Sequence, residues 1–216
     1  MYNAVVANVG RTVQPRTGRY ALASLTMPIL ALAQISCGPR SDRVTFQAKV
    51  SDLRRPDNSF AKNKRPDDLV EITLPGRMLE VPAVVKLVGR HEADWSTPES
   101  AVAAILSANV AGDVPWILQS FVPAERNEAL KQFADPVAVE RGRESYAAMG
   151  KFEITGQVEV HGITIVFVRG EEEDGDSTVL TVNLSKTPSG WKQTDALAHD
   201  DSLDVISIAL HTGTVR

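Results

Sequence analysis

The sequence predicts an α+β protein, with helices packed on an antiparallel sheet and a small β-rich section ahead of them. Three observations carry this. Residues 97–149 hold a series of helix starts and stops around apolar residues at helical spacing. From Lys151 the apolar period changes to two, the signature of strands with one face buried. The breaks between those later runs are short and rich in Gly, Pro or acidic residues, so consecutive strands turn back on one another.

Each element follows in chain order. Residues 44–50 (VTFQAKV) alternate apolar and polar, as a half-buried strand does. Residues 51–68 hold two prolines and read as a long exposed loop. Its Arg54, Arg55, Lys62, Lys64 and Arg65 are interleaved with Asp57, Asp67 and Asp68, so a solvated face is expected. Residues 69–74 and 81–88 read as two strands, split by Pro75-Gly76 as a turn. Thr97 then stands as an N-cap, with Pro98 at the first helical position and Glu99 at the positive helix end. Val102, Ile105 and Leu106 continue that helix and Gly112 ends it. Asp113 caps a short helix with Trp116, Ile117 and Leu118. Pro123 opens a third, with Ala129, Leu130 and Phe133 on one face, and Pro136 opens a fourth that runs to about Met149.

Two alternating runs, residues 152–160 and 163–170, flank His161-Gly162, a two-residue hairpin signal. An acidic tip (GEEEDGDS) leads into residues 178–185, and residues 186–190 turn the chain into a last strand at Trp191-Lys192-Gln193-Thr194. The tip lacks the ligand spacing of a calcium loop and reads as a solvated hairpin end. The tail, residues 202–211, reads as a helix, with strand as the competing assignment.

The N-terminus carries an address. Residues 1–36 hold Arg11, Arg16 and Arg19 and no Asp, Glu or Lys, and residues 20–35 are uncharged. As a helix those 16 residues reach about 24 Å, short of the roughly 30 Å of bilayer hydrocarbon. Pro28 also interrupts them. An export signal fits better than a membrane span. Cleavage near Ala33, after Ala31-Leu32-Ala33, gives a soluble periplasmic or secreted protein. Alternatively Ile35-Ser36-Cys37 resembles a bacterial lipobox, with Gln34 where Leu is usual, and Cys37 becomes a lipidated first residue. The chain's one cysteine falls directly after its one signal-like segment, which favours the lipoprotein. The expected organisation is a signal at 1–36, a tether at 37–43, the β-rich section at 44–94 and an α+β domain at 95–216. Removing the signal leaves 20 Lys and Arg against 27 Asp and Glu, a charge of −7. That acidity argues against nucleic acid as a partner, and leaves membrane attachment to the lipid on Cys37.

Thr97-Pro98-Glu99, Ala101-Val102, Ala108, Gly112-Asp113 and Gly190-Trp191-Lys192, in helices followed by a meander, carry a resemblance. Over residues 95–198 the chain resembles the nuclear transport factor 2-like superfamily, and within it bacterial secreted lipoproteins of lumazine-binding-like type. The resemblance implies a curved sheet closed into a cone with helices on its concave side. In that superfamily the cone is an active site, a ligand pocket or filled core. Phe152, Ile154 and Val158 are expected to share one apolar face, as are Ile163, Ile165 and Phe167. Trp116, Tyr146, Phe152, Ile165, Trp191 and Asp195 are the positions expected at a pocket.

No nucleophile elbow, zinc-protease, dinucleotide, phosphate-loop or paired-cysteine motif is present. The four histidines, His91, His161, His199 and His211, lie in four separate segments, so no metal or cofactor is assigned. The expected role is therefore a non-catalytic binding module in the cell envelope, for a partner protein or a small apolar ligand. One alternative is an isomerase- or hydrolase-type enzyme using Asp195 or Tyr146 as acid or base, with Asp113 also inspected. Another is a structural domain that forms a homodimer.

Overall fold

The computed structural model describes residues 42–172 and 175–216. The expected signal, Cys37 and most of the tether lie outside the described residues, as do Glu173 and Asp174 of the acidic tip.

Six strands pair antiparallel in chain order: β1 (Arg43–Lys49), β2 (Leu69–Val84), β3 (Met149–Val160), β4 (Ile163–Glu172), β5 (Ser177–Thr187) and β6 (Gly190–Gln193). With five α-helices among the described residues, the architecture is mixed α+β, as the change of period predicts. The β3–β4 hairpin turns on His161 and Gly162, both left-handed at φ 50° and 78°. That is the geometry a two-residue turn needs to match strand twist.

Helix α1 (Pro98–Ala111) begins at the expected cap. Thr97 Oγ1 accepts the Ser100 amide at 3.1 Å, and Ser100 Oγ accepts the Thr97 amide at 3.2 Å. Gly112, left-handed at φ 64°, closes it. Asp113 caps α2 (Val114–Ser120) by accepting the Trp116 amide at 3.0 Å. A single 3-10 turn at Pro123–Glu125 precedes α3 (Arg126–Gln132), and Asp135 caps α4 (Pro136–Ala148). The tail is α5 (Asp201–Thr212), capped by Asp200. Its apolar stripe of Val205, Ile206, Ile208 and Ala209 is buried.

The helices do not share one side of the sheet. Along β4, Val166 and Val168 pack with Val102, Ile105 and Leu106 of α1, whereas Ile165 and Phe167 pack with Val205 and Ile206 of α5. Adjacent residues of a strand point to opposite faces, so α1 and α5 cover opposite faces. This replaces the expectation of helices on one concave side. The expected common face of Phe152, Ile154 and Val158 also divides. The β3–β4 register shifts between Ile154 and Gly156, leaving Thr155 as an extra residue. Such a bulge inverts the alternation beyond it. Phe152 and Ile154 therefore join the α1 side, and Val158 and Val160 the α5 side.

Residues 69–84 form one strand, where the sequence suggested two with a turn at Pro75-Gly76. Leu69 to Pro75 pair with β1, and from Gly76 onward the partner is β3. Pro75 sits where one ladder ends and the other begins, so its missing N–H removes no ladder bond. Gly76 lies so close to β3 that a Cβ there would stand 2.3 Å from Gln157 O. The proline and glycine mark a corner within a strand. Past it the β1–β2 ribbon turns over the face of the sheet. Phe46 of β1 meets Phe167 of β4 edge to face, with ring centroids 5.8 Å apart. In a flat sheet those strands would stand roughly 14 Å apart. Val44, Phe46, Val70 and Ile72 thus share a core with β3, β4 and α5.

The loop after β1 is likewise fixed in place. Asp204 of α5, 8% exposed, accepts the amides of Arg54 at 3.0 Å and Arg55 at 3.3 Å. Asp201 accepts the Ser59 amide at 2.8 Å, and Asn58 is 2% exposed. Arg54, Asp57, Lys62, Lys64, Arg65 and Asp67 are exposed, as the composition predicts, while Asn58 is turned inward. The acidic first turn of α5 supplies what holds the loop.

Candidate functional site

Of the six positions expected at a pocket, five are distributed over three apolar clusters and Asp195 lies outside them. Phe152 is buried on the α1 side of the sheet, with Tyr146 of α4 and Trp191 of β6 packed against the same layer. Burial of the Tyr146 ring raises its hydroxyl's pKa. Trp116 belongs to a neighbouring cluster with Ile117, Phe121 and Ala129, where its buried indole N–H has no partner among the described residues. Ile165 lies on the opposite face, among residues that pack on α5. The space between α1 and the sheet is occupied by Val102, Ile105 and Leu106 against Val166, Val168 and Leu180.

Asp195 stands just past β6 in a polar corner. Glu125 accepts the Thr194 hydroxyl at 2.7 Å and the Asp195 amide at 2.8 Å. Partial burial, and then the charge of Glu125, raise the pKa of the Asp195 carboxyl from its ordinary value. Nearby, Lys192 is 5% exposed and its ammonium sits 3.5 Å from the centroid of the Trp95 ring, a cation–π contact. Burial, and then Arg126, lower its pKa. Asp113, by contrast, is engaged as the α2 cap and pairs with Arg90 at 3.1 Å. An acid–base pair needs two groups converging on one substrate atom. Asp195 and Tyr146 belong to different surroundings, one with Glu125 and the other with the Phe152 layer.

A raised carboxyl pKa means the folded protein holds that proton more tightly than the unfolded chain does. Its favourable contribution is complete below the unfolded value of about 3.9 and is lost as pH rises through the folded pKa. Ionised Asp195 is therefore a cost at neutral pH. Asp195→Asn is expected to raise Tm at pH 7, with the advantage disappearing below about pH 4. Thermal melts of both proteins across that range check it; a lower Tm for the variant at pH 7 contradicts it.

The other arrangement of polar groups lies on the α5 side. The loop after β1, the His161 turn and the start of α5 enclose a surface groove of about 330 Å³. Asp200, Asp201 and Ser202 at the start of α5 line it together with His161 and Arg55. His161 Nε2 lies 3.2 Å from Asp200 Oδ2. Arg55 pairs with Asp201 at 3.2 Å and donates to the His199 carbonyl. Hydrogen bonds from Ser59, and then the Arg55 charge, hold the Asp201 carboxyl below its ordinary range.

This groove offers paired charges, with donors and acceptors close together. The Ser59 and Ser202 amides donate to Asp201 and Asp200, each at 2.8 Å. Among the described residues, no three His, Cys, Asp or Glu side chains are placed to hold a metal ion. His161 is exposed, as its place in a hairpin turn predicts, with 75% of its side chain open to solvent, whereas Arg55 at 35% is partly covered. The acidic helix start at Asp200-Asp201 and the hairpin tip were both legible, but their convergence across residues 55–202 had no local signal. Compared with known proteins, the chain matches no family model, no curated protein and no solved structure.

Proposed function

We propose that this is an exported, lipid-anchored protein of the bacterial cell envelope whose folded part is a non-catalytic binding module for a partner protein. The export signal, with Cys37 directly behind it, supports the anchor. The order of helices and meander supports a cone of the nuclear transport factor 2-like kind on the α1 side of the sheet, with the N-terminal β section and α5 added on the other face. One observation favours a protein over a small apolar ligand. The layer beneath α1 is occupied by side chains, and the groove at the start of α5 is lined mostly by polar residues. Recognition by such a module takes place on its outside, through shape and paired polar groups.

Two measurements test this. Cys37→Ser is expected to move essentially all of the protein from the membrane fraction to the soluble fraction. Unchanged attachment overturns the anchor. Native mass spectrometry of protein taken from its own envelope is expected to show the acylated chain without a bound small molecule. An apolar compound that copurifies in stoichiometric amount overturns the partner-protein reading in favour of a ligand carrier.

A further inference from the structure

The edges of the sheet are covered, with one gap. The C-terminal tail lies along the outer side of β1, where Thr45 and Arg216 exchange backbone hydrogen bonds of 2.9 Å and the Gln47 amide reaches Thr214 O at 3.1 Å. On the far edge, the Trp191 amide donates to Trp95 O at 2.8 Å and the Val122 amide to Gln193 O at 2.9 Å. The β1 ladder stops where Asp42 O accepts the Gly76 amide at 2.8 Å. Beyond that point no described residue pairs with the outer side of Arg77 to Val84.

This rim is also where exposed apolar side chains gather. Val81 is 81% exposed and Val84 67%, with Leu87 at 41% three residues on. Exposed Arg77 and Lys86 lie on the same stretch, with Glu80 as the one acid between them. Pro82 has no N–H to offer, which discourages another strand from adding here. The rim therefore presents apolar tips and cations with a poor template for pairing. Its position adds the deciding constraint. Cys37 lies five residues before Asp42, a reach of at most about 17 Å. Val81 lies five residues past Gly76, a similar distance along a strand.

We propose that this rim is the membrane-facing surface of the anchored protein. Val81, Val84 and Leu87 enter the boundary between headgroups and acyl chains, and Arg77 and Lys86 meet lipid phosphates. Apolar tips beside cations are the composition that binds a lipid interface. A second contact beside the anchor would fix the orientation of the folded part on the bilayer. With β2 on the bilayer, the opposite edge of the sheet at β6 is directed away from it. The proposal rests on acylation of Cys37.

That acylation leaves no other thiol in the chain, so Val84→Cys and, separately, Val81→Cys each introduce a single labelling site on the lipidated protein. Leu130→Cys on α3, 52% exposed at the native residue and beyond the β6 edge, is the reference. Each carries a polarity-sensitive fluorophore and is reconstituted into vesicles of phosphatidylethanolamine and phosphatidylglycerol. Labels at 81 and 84 are expected to shift to the blue and to be quenched several-fold less by aqueous iodide than the label at 130. Equal quenching at all three positions, in protein that floats with the vesicles, overturns the proposal. Shielding seen in native membranes and absent from protein-free vesicles overturns it in favour of a protein on the rim. Intact mass separates the two levels: an unmodified Cys37 overturns the anchor, and with it the lipid-facing rim.

Discussion

Asp204→Ala is expected to cost about 3 kcal/mol of stability, because it removes a buried charged acceptor and strands the donors that face it. The carboxylate is 8% exposed and takes the Arg54 amide at 3.0 Å and the Arg55 amide at 3.3 Å, with Asn58 Nδ2 at 3.4 Å. Alanine offers those groups nothing, and the loop must open to water or leave its donors buried. For a chain of this size the loss corresponds to a fall in Tm of roughly 6–12 °C. Asp204→Asn keeps one carbonyl acceptor and a similar shape, so it is expected to lose less than half as much. Amide exchange adds a local readout. In Asp204→Ala, the amides of Arg54, Arg55, Asn58 and Ser59 are expected to lose protection while those of β4 keep theirs. An unchanged Tm with unchanged exchange at Arg54 and Arg55 would mean that α5 does not hold the loop.

The groove depends on the same contacts, since Arg55 and Ser59 lie on the loop that Asp204 and Asp201 position. Part of this was readable from the chain. Thr97-Pro98, Asp113 and Gly112 mark helix ends through local hydrogen bonds, and all three act as the spacing predicts. The period-two runs place β3, β4 and β5 correctly because burial of one face leaves an imprint on every second residue. What escaped were features with no periodic imprint. Thr155 inverts a strand's facing with one extra residue, and nothing in FEITGQVEV distinguishes it from regular alternation. Asp204 looks like any exposed acid in an amphipathic helix until a segment 150 residues earlier in the chain is brought against it. The six pocket positions diverged for a related reason. Alternation shows that Ile165 and Phe152 each face a core, but the sheet buries both its faces, and only the tertiary structure says which core is which.

Gly76→Ala is expected to cost about as much, through overpacking instead of lost hydrogen bonds. A Cβ at this position would stand 2.3 Å from Gln157 O and 2.6 Å from the Cα of Val158. Both are backbone atoms of β3, so no rotamer change relieves the overlap, and β2 or β3 must move. Forcing extra atoms into such a contact costs about 1–3 kcal/mol, and this overlap belongs at the upper end. The displacement falls where β2 passes from β1 to β3, so it also pulls on the ribbon that brings Phe46 to Phe167. Gly142→Ala in α4 is the control: nothing lies within 4 Å of its added Cβ, and alanine at a helical position is expected to stabilise by about 0.5–1 kcal/mol. Chemical denaturation of the two variants beside the parent separates the cases, since one midpoint should fall and the other rise. If Gly76→Ala lost less than about 1 kcal/mol, far below the cost of overpacking, β2 and β3 would not meet at this point. Pro75-Gly76 would then be the hairpin turn its composition first suggests.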